Sequence, residues 1–250
     1  MKKLEEIAFD YPLCRKQFEE FQQWLATKGD LSERNDVLPF FRARPQLAVL
    51  FGTFNNRLAW PNRIGWEFDI FGDFTCDLVV GEWERGEYCF VEFEDAQHDS
   101  IFQRQGKKAT REWGRRFDHG YSQIIDWAHK LDGLSPSADL LARFDRYEIG
   151  YEAAFVIGRD QHLDEGEKQR LNWRSDKVVV NNKKVTCLTF DGLLSRFSVR
   201  VNTFLAVETV TIAAATKAAE VAKAAEAAKA ASSSSGDPPT APAKPPEQGP

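Results

Sequence analysis

The stretch that decides the fold is residues 65–95, GWEFDIFGDFTCDLVVGEWERGEYCFVEFED. It falls into three aromatic and β-branched runs, WEFDIF, FTCDLVV and YCFVEFED, separated by turns at Gly72-Asp73 and within GEWERGE. This pattern predicts short strands folded back on one another as antiparallel hairpins. In the last run successive side chains alternate faces, so Glu92 and Glu94 share one face while Val91 and Phe93 take the other. Asp77 lies in the preceding apolar strand, between Cys76 and Leu78. Carboxylates gathered in such strands repel one another and lose hydration. They are tolerated when exposed, when protonated, or when a divalent cation neutralises them. Two readings stand here: ordinary acids on a solvated strand face, or oxygen ligands of Mg2+, which takes one or two carboxylates with water and substrate phosphate.

A chain of 250 residues leaves room for one sizeable domain or two small ones with a substantial core. Nineteen Phe and seven Trp against a single Met predict a rigid, aromatic-rich interior. The net charge of −5 excludes a globally basic nucleic-acid binder, so any basic surface is local. The four cysteines, at 14, 76, 89 and 187, have no CxxC spacing; this speaks against zinc or a disulfide framework and fits a reducing cytoplasm. The opening MKKLEEIAFDYPL is too acidic for a signal peptide, and no run approaches the roughly 18 apolar residues of a membrane span. A cytoplasmic protein without a membrane segment is the expectation.

Outward from the central strands, residues 12–27 place Cys14, Phe18, Phe21 and Leu25 at helical spacing. Ser32 is a candidate N-cap for a helix carrying Glu33, Val37, Phe40 and Phe41, with Pro39 expected to kink or shorten it. PQLAVLFG predicts a short helix from Pro45 to Gly52. After the strands, residues 96–120 carry Arg104, Lys107, Lys108, Arg111, Arg115 and Arg116 among Phe102 and Trp113. That segment reads either as a solvated linker or as a surface for a phosphate backbone. A helix follows over 119–133 with Tyr121, Ile124, Ile125 and Ala128 along one stripe and Gln123 beside it. EIGYEAAFVIG predicts a buried strand, LDEGEKQRLNWRSD a polar helix, VTCLTF another strand, and DGLLSRFSVRVNTFLA a helix with Asp191 as its N-cap. The order implies an α/β domain around one mixed sheet. From about 207 to 231 alanines with Lys and Glu at steps of three predict a helical extension without an apolar stripe, and 232–250 is a Pro/Ser-rich tail expected to be disordered.

A helix with an early Glu33, a strand pair carrying Asp77 and Glu92-Phe93-Glu94, and a later helix carrying Gln123 in YSQIIDW together resemble the PD-(D/E)XK nuclease superfamily. More closely, SERNDVLPFFRARPQLAVLFG, FTCDLVV, CFVEFEDA, GYSQIIDW and TFDGLLSRF are similar to the nuclease domain of the Shedu antiphage-defence family over about residues 30–200. The resemblance implies a restriction-endonuclease-like core within residues 1–206, with helices flanking a mixed central sheet. It implies that Asp77 and Glu92 hold Mg2+ or Mn2+, that Glu33 assists the metal, and that Gln123 orients the site. Glu94 stands where the family pattern usually has lysine; as a carboxylate it serves as a metal ligand or general base. Lys107 and Lys108 are the candidates to replace the missing charge, and Arg104, Lys107, Lys108, Arg111 and Arg115 the candidate DNA contacts. A homo-oligomer is implied too, and the regulatory N-terminal domain of many relatives is expected to be absent or reduced to the first thirty residues.

Other roles remain open for single residues. Glu33 also suits a first helical turn as a dipole partner, and Gln123 a surface position. Asp73 is explained by its turn. Asp95 is left outside the site because continued alternation points it away from Glu94. The leading functional expectation is a metal-dependent DNA endonuclease in antiphage defence. The alternative is a superfamily member that binds nucleic acid without cutting it, which the Glu94 substitution favours. A third class, a protein-interaction module working through the Ala-rich helix and tail, gives little reason for two glutamates on one face of an apolar strand.

Overall fold

The computed structural model describes residues 4–204 and Lys217. The chain divides into the units Met1–Asn202 and Thr203–Pro250; the expected Ala-rich helix and tail lie outside the described residues, Lys217 excepted. In the first unit the three central runs form β2 (Arg63–Ile70), β3 (Phe74–Glu82) and β4 (Glu87–Phe93), antiparallel to one another as expected. A two-residue strand β1 (Glu5–Glu6) borders β2. On the other side β7 (Gly150–Val156) and β9 (Lys183–Leu188) continue parallel to β4, and β8 (Val179–Val180) closes the edge antiparallel. The seven-stranded order is β1-β2-β3-β4-β7-β9-β8, so the sheet is mixed.

Helices cover both faces. α1 (Tyr11–Thr27) starts where Asp10 accepts the Leu13 N–H at 2.9 Å, and it buries Cys14, Phe18, Phe21 and Leu25, the stripe the spacing predicts. Glu33–Val37 forms a wide π-type turn, and α2 (Leu38–Arg42) begins afresh with Pro39 in its first turn, where the missing N–H costs nothing. α3 (Pro45–Ala48) tightens into a 3-10 turn over Val49–Phe54. Phe21, Phe41, Phe51, Phe93 and Phe197 form a continuous aromatic cluster on this face, with Phe93 stacked on Phe41 at 5.2 Å.

The opposite face is covered by α4 (Arg115–Gly133), α5 (Ala138–Phe144) and α6 (Glu165–Lys177). α4 starts four residues earlier than the periodicity predicts and takes in Arg115 and Arg116. Its buried stripe is Phe117, Tyr121, Ile124, Trp127 and Leu131, whereas Ile125 is exposed. The larger indole wins the core position that Ile125 was expected to fill. Gly120 lets α4 lie close: a Cβ there would stand 2.6 Å from the Phe155 ring and 3.2 Å from Glu94 Cγ. Residues 190–204 are helical, but Asp191 is not the cap. Thr189 Oγ1 accepts the Gly192 N–H, and Asp191 is occupied by the Arg159 guanidinium and the Asp160 N–H. All four cysteines are buried free thiols.

Candidate functional site

Four carboxylates from three elements meet at the carboxyl end of β4, where the parallel half of the sheet opens its crevice. The β3–β4 ladder runs from Glu82↔Glu87 to Leu78↔Val91, which sets Asp77 beside Glu92 at its end. There the Phe93 N–H turns from the ladder to Asp77 Oδ2 at 2.8 Å. On the other side of β3 the pairing with β2 skips Glu67, whose φ is +43°. Cys76 and Val79 consequently enter the same core cluster, contrary to strict alternation. The break lies next to the exposed Arg42–Glu67 ion pair at 3.1 Å, and at its level Asp77 reaches the Phe93 N–H of β4.

Glu92 is 6% exposed. Its Oε1 accepts from Gln123 Nε2 at 2.7 Å, and its buried Oε2 has no donor from the rest of the protein, only the neighbouring Asp77 carboxyl, with which it shares a proton when one of the two acids is protonated. Glu94 is 5% exposed and packs against α4 at Gly120. Burial, then the negative charge of Asp77, Glu94 and Glu33, pushes the Glu92 carboxyl well above its ordinary range. Burial chiefly raises Asp77 to about 7, against the Phe93 hydrogen bond that lowers it. Glu94 is likewise raised to about 7 by burial and by Glu33, with Arg116 pulling it down. Burial and Asp95 raise Glu33, which Arg34, Arg116 and His119 oppose. These four acids and Gln123 are the residues the sequence singled out, and the structure brings them into one electrostatic neighbourhood.

Asp95 joins them although alternation pointed it away. The strand ends at Phe93, the Glu94 N–H turns to the Val156 carbonyl, and Ala96 bridges to Leu31. Asp95 can therefore accept the Glu33 N–H at 2.7 Å and pair with Arg116 at 2.7 Å, fixing the Glu33 turn to α4. The only sequence signal was the carboxylate following Glu94; its orientation depended on where the strand stopped.

The basic segment separates into different roles. All five N–H donors of Arg111 are engaged, by both oxygens of Glu167 and by the carbonyls of His98, Phe102 and His162. Lys108 pairs with Glu112, while Lys107 is exposed. Arg104, Arg115 and Arg116 line a polar cleft of about 400 Å3 with Asp99, Gln103 and Gln105. The cation that bears on Glu94 is thus Arg116, not Lys107 or Lys108.

The donor set fits an oxygen-loving divalent ion: buried carboxylates that repel one another and an orphaned oxygen, Glu92 Oε2. Among the described residues no three His, Cys, Asp or Glu side chains are already disposed around one ion position. Asp77 and Glu92 with water are the ligand set that fits, and Glu33 bears on them through its charge. Together, fold and cluster define a mixed α/β domain with a buried acid centre at the ends of parallel strands. The family described as Shedu protein SduA, C-terminal, matches residues 21–194, well over half the chain, and the protein belongs to that family. Membership fits a role in antiphage defence. No curated protein matches the chain.

Proposed function

We propose that the protein is a divalent-metal-dependent endonuclease, with a PD-(D/E)XK-type core, that hydrolyses DNA phosphodiesters in antiphage defence. The observation that carries this reading is the buried Asp77–Glu92 pair with the orphaned Glu92 Oε2, oriented by Gln123. Asp77 and Glu92 would hold Mg2+ or Mn2+. When bound, such an ion supplies Lewis-acid polarisation of a phosphoryl oxygen and a more acidic water. Glu94, raised to about 7, would take a proton from the attacking water as the water oxygen bonds to phosphorus and one phosphorus–oxygen ester bond breaks, with solvent supplying the proton to the leaving oxygen. Gln123 keeps Glu92 Oε1 occupied and so leaves Oε2 to the ion. Arg104, Arg115 and Lys107 supply contacts to the DNA backbone, whereas Arg111 is a structural residue.

The test is cleavage of supercoiled and linear DNA by the purified protein in Mg2+, Mn2+ or EDTA. Metal-dependent nicking or cutting, lowered at least about 100-fold by Glu92→Gln, is expected. One observation favours a second reading, binding without cutting: a fourth acid, Glu94, occupies the place where a positive charge is usual. Salt-sensitive DNA binding with no cleavage in either metal would establish that reading, and neither binding nor cleavage would remove both.

A further inference from the structure

A phosphodiester entering this centre faces four carboxylates, so its binding needs a cation aimed into the cluster. α4 provides one. Arg116, Gly120 and Gln123 stand at i, i+4 and i+7 and therefore share a helix face. Gln123 touches Glu92 and Gly120 abuts Glu94, which puts Arg116 one turn further along the same face, at the mouth of the cluster. One Nη of its guanidinium is anchored on Asp95 Oδ2 at 2.7 Å. The side chain is nonetheless 44% exposed and lines the cleft of about 400 Å3 that carries Arg104 and Arg115. Of the other cations, Arg42 pairs with Glu67 and Arg111 with Glu167, while Arg34 and His119 bear on Glu33 rather than on Glu94.

We propose that Arg116 is the residue that receives the scissile phosphate: anchored through one nitrogen on Asp95, it presents its remaining N–H groups to the non-bridging oxygens. The proposal rests on the reading that this site takes a phosphodiester. Arg116 stands in for a lysine on β4 by reaching the same charge cluster from the helix, and the planar fork of arginine suits two phosphate oxygens better than an ammonium does. Asp95 is then a positioning residue, because one carboxylate holds both Arg116 and the Glu33 turn.

The experiment compares Arg116→Gln, Arg116→Lys and Arg104→Ala with wild type in two readouts: cleavage in Mg2+ or Mn2+, and binding of a DNA duplex in Ca2+ across a salt series. Arg116→Gln can still donate to Asp95 and so tests the charge apart from folding, which thermal denaturation checks. Expected are a kcat about 100-fold lower for Arg116→Gln with KM changed far less, partial recovery in Arg116→Lys, and chiefly a higher KM for Arg104→Ala. In binding, the slope of log K against log salt falls by about one in Arg116→Gln. Cleavage and salt slope both at wild-type level in Arg116→Gln would overturn the proposal while leaving the nuclease reading intact. If the wild type cuts nothing, the nuclease reading falls by itself, and the salt slope alone decides whether Arg116 meets a phosphate.

Discussion

Removing divalent ions should make this protein less stable as pH rises, the reverse of ordinary acid denaturation. The reason is the buried acid pair. Asp77 is raised from 3.8 to about 7. Between those values the folded state binds a proton that the unfolded chain releases, so stability falls with rising pH, is fully retained below about 3.8, and levels off above about 7. A carboxyl moved that far corresponds to about 4 kcal/mol, of which about 3 kcal/mol falls between pH 5 and pH 8. Glu92 moves in the same direction, and since the two share their charge the measured loss belongs to the pair. Asp36, Asp69 and Asp132 have lowered values, so their contributions are lost only in more acidic solution, whereas Glu94 and Glu33 of the cluster and Glu152 on β7 are raised by burial and add to the fall.

The assay is urea denaturation in EDTA at intervals from pH 5 to pH 8, for wild type and Asp77→Asn. Wild type should lose at least about 2 to 4 kcal/mol across the range, and the substitution should lower the slope without abolishing it, because an amide does not titrate whereas Glu92 and Glu94, also raised, still do. Mg2+ at a hundredfold excess over its dissociation constant should return about 2.7 kcal/mol at pH 8 to wild type and little to the variant. A wild-type stability that is flat or rises from pH 5 to pH 8 in EDTA would refute the burial argument. So would an unchanged slope in Asp77→Asn.

Two further substitutions probe what holds the site in place. Gly120→Ala should gain about 1 kcal/mol of helix propensity, yet lose more because its Cβ would meet the Phe155 ring at 2.6 Å, for a net cost of about 1 to 3 kcal/mol in urea denaturation; net stabilisation would show that α4 is not packed as closely as described. Arg111→Ala should cost about 3 to 5 kcal/mol, because it strands the buried Glu167 carboxylate and three backbone carbonyls, and Arg111→Lys should recover little of it. A loss below about 0.5 kcal/mol for Arg111→Ala would return this residue to the DNA-contact set.

Periodicity made the long elements legible. α1 is delimited by Asp10 and by its four buried apolar residues, and β3 and β4 by Gly-containing turns. What stayed hidden was short or conditional. β1, β5 (Phe102–Gln103) and β6 (Glu112–Trp113) have two residues each, too few for alternation to register. The periodicity starts α4 only at His119, because Arg115 and Arg116 sit in a basic run; their helical character depends on Phe117 finding the sheet, which no local pattern announces. Asp191 is the cap the sequence points to, yet the Arg159 guanidinium, a tertiary partner, takes its carboxylate, and Thr189 two residues earlier accepts the Gly192 N–H instead.

The site shows the same division at finer grain. Asp77, Glu92 and Glu94 were legible because acids in an apolar strand conflict with local propensity, and such conflicts concentrate where function overrides stability. Asp95 and Arg116 carried no such conflict: an acid after a strand and an arginine in a basic run are unremarkable by themselves. Their roles arise where the alternation rule stops. Once Asp77 takes the Phe93 N–H and the chain leaves β4, Asp95 swings to the Glu33 turn and brings Arg116 with it. Where Glu94 takes the place of a basic residue, the cation bearing on the cluster is Arg116, whose position is set by a carboxylate one residue beyond Glu94. Charge balance at this centre is distributed over β4, the Glu33 turn and α4, so a substitution at Asp95 should disturb Glu33 and Arg116 together, even though neither is its neighbour in sequence.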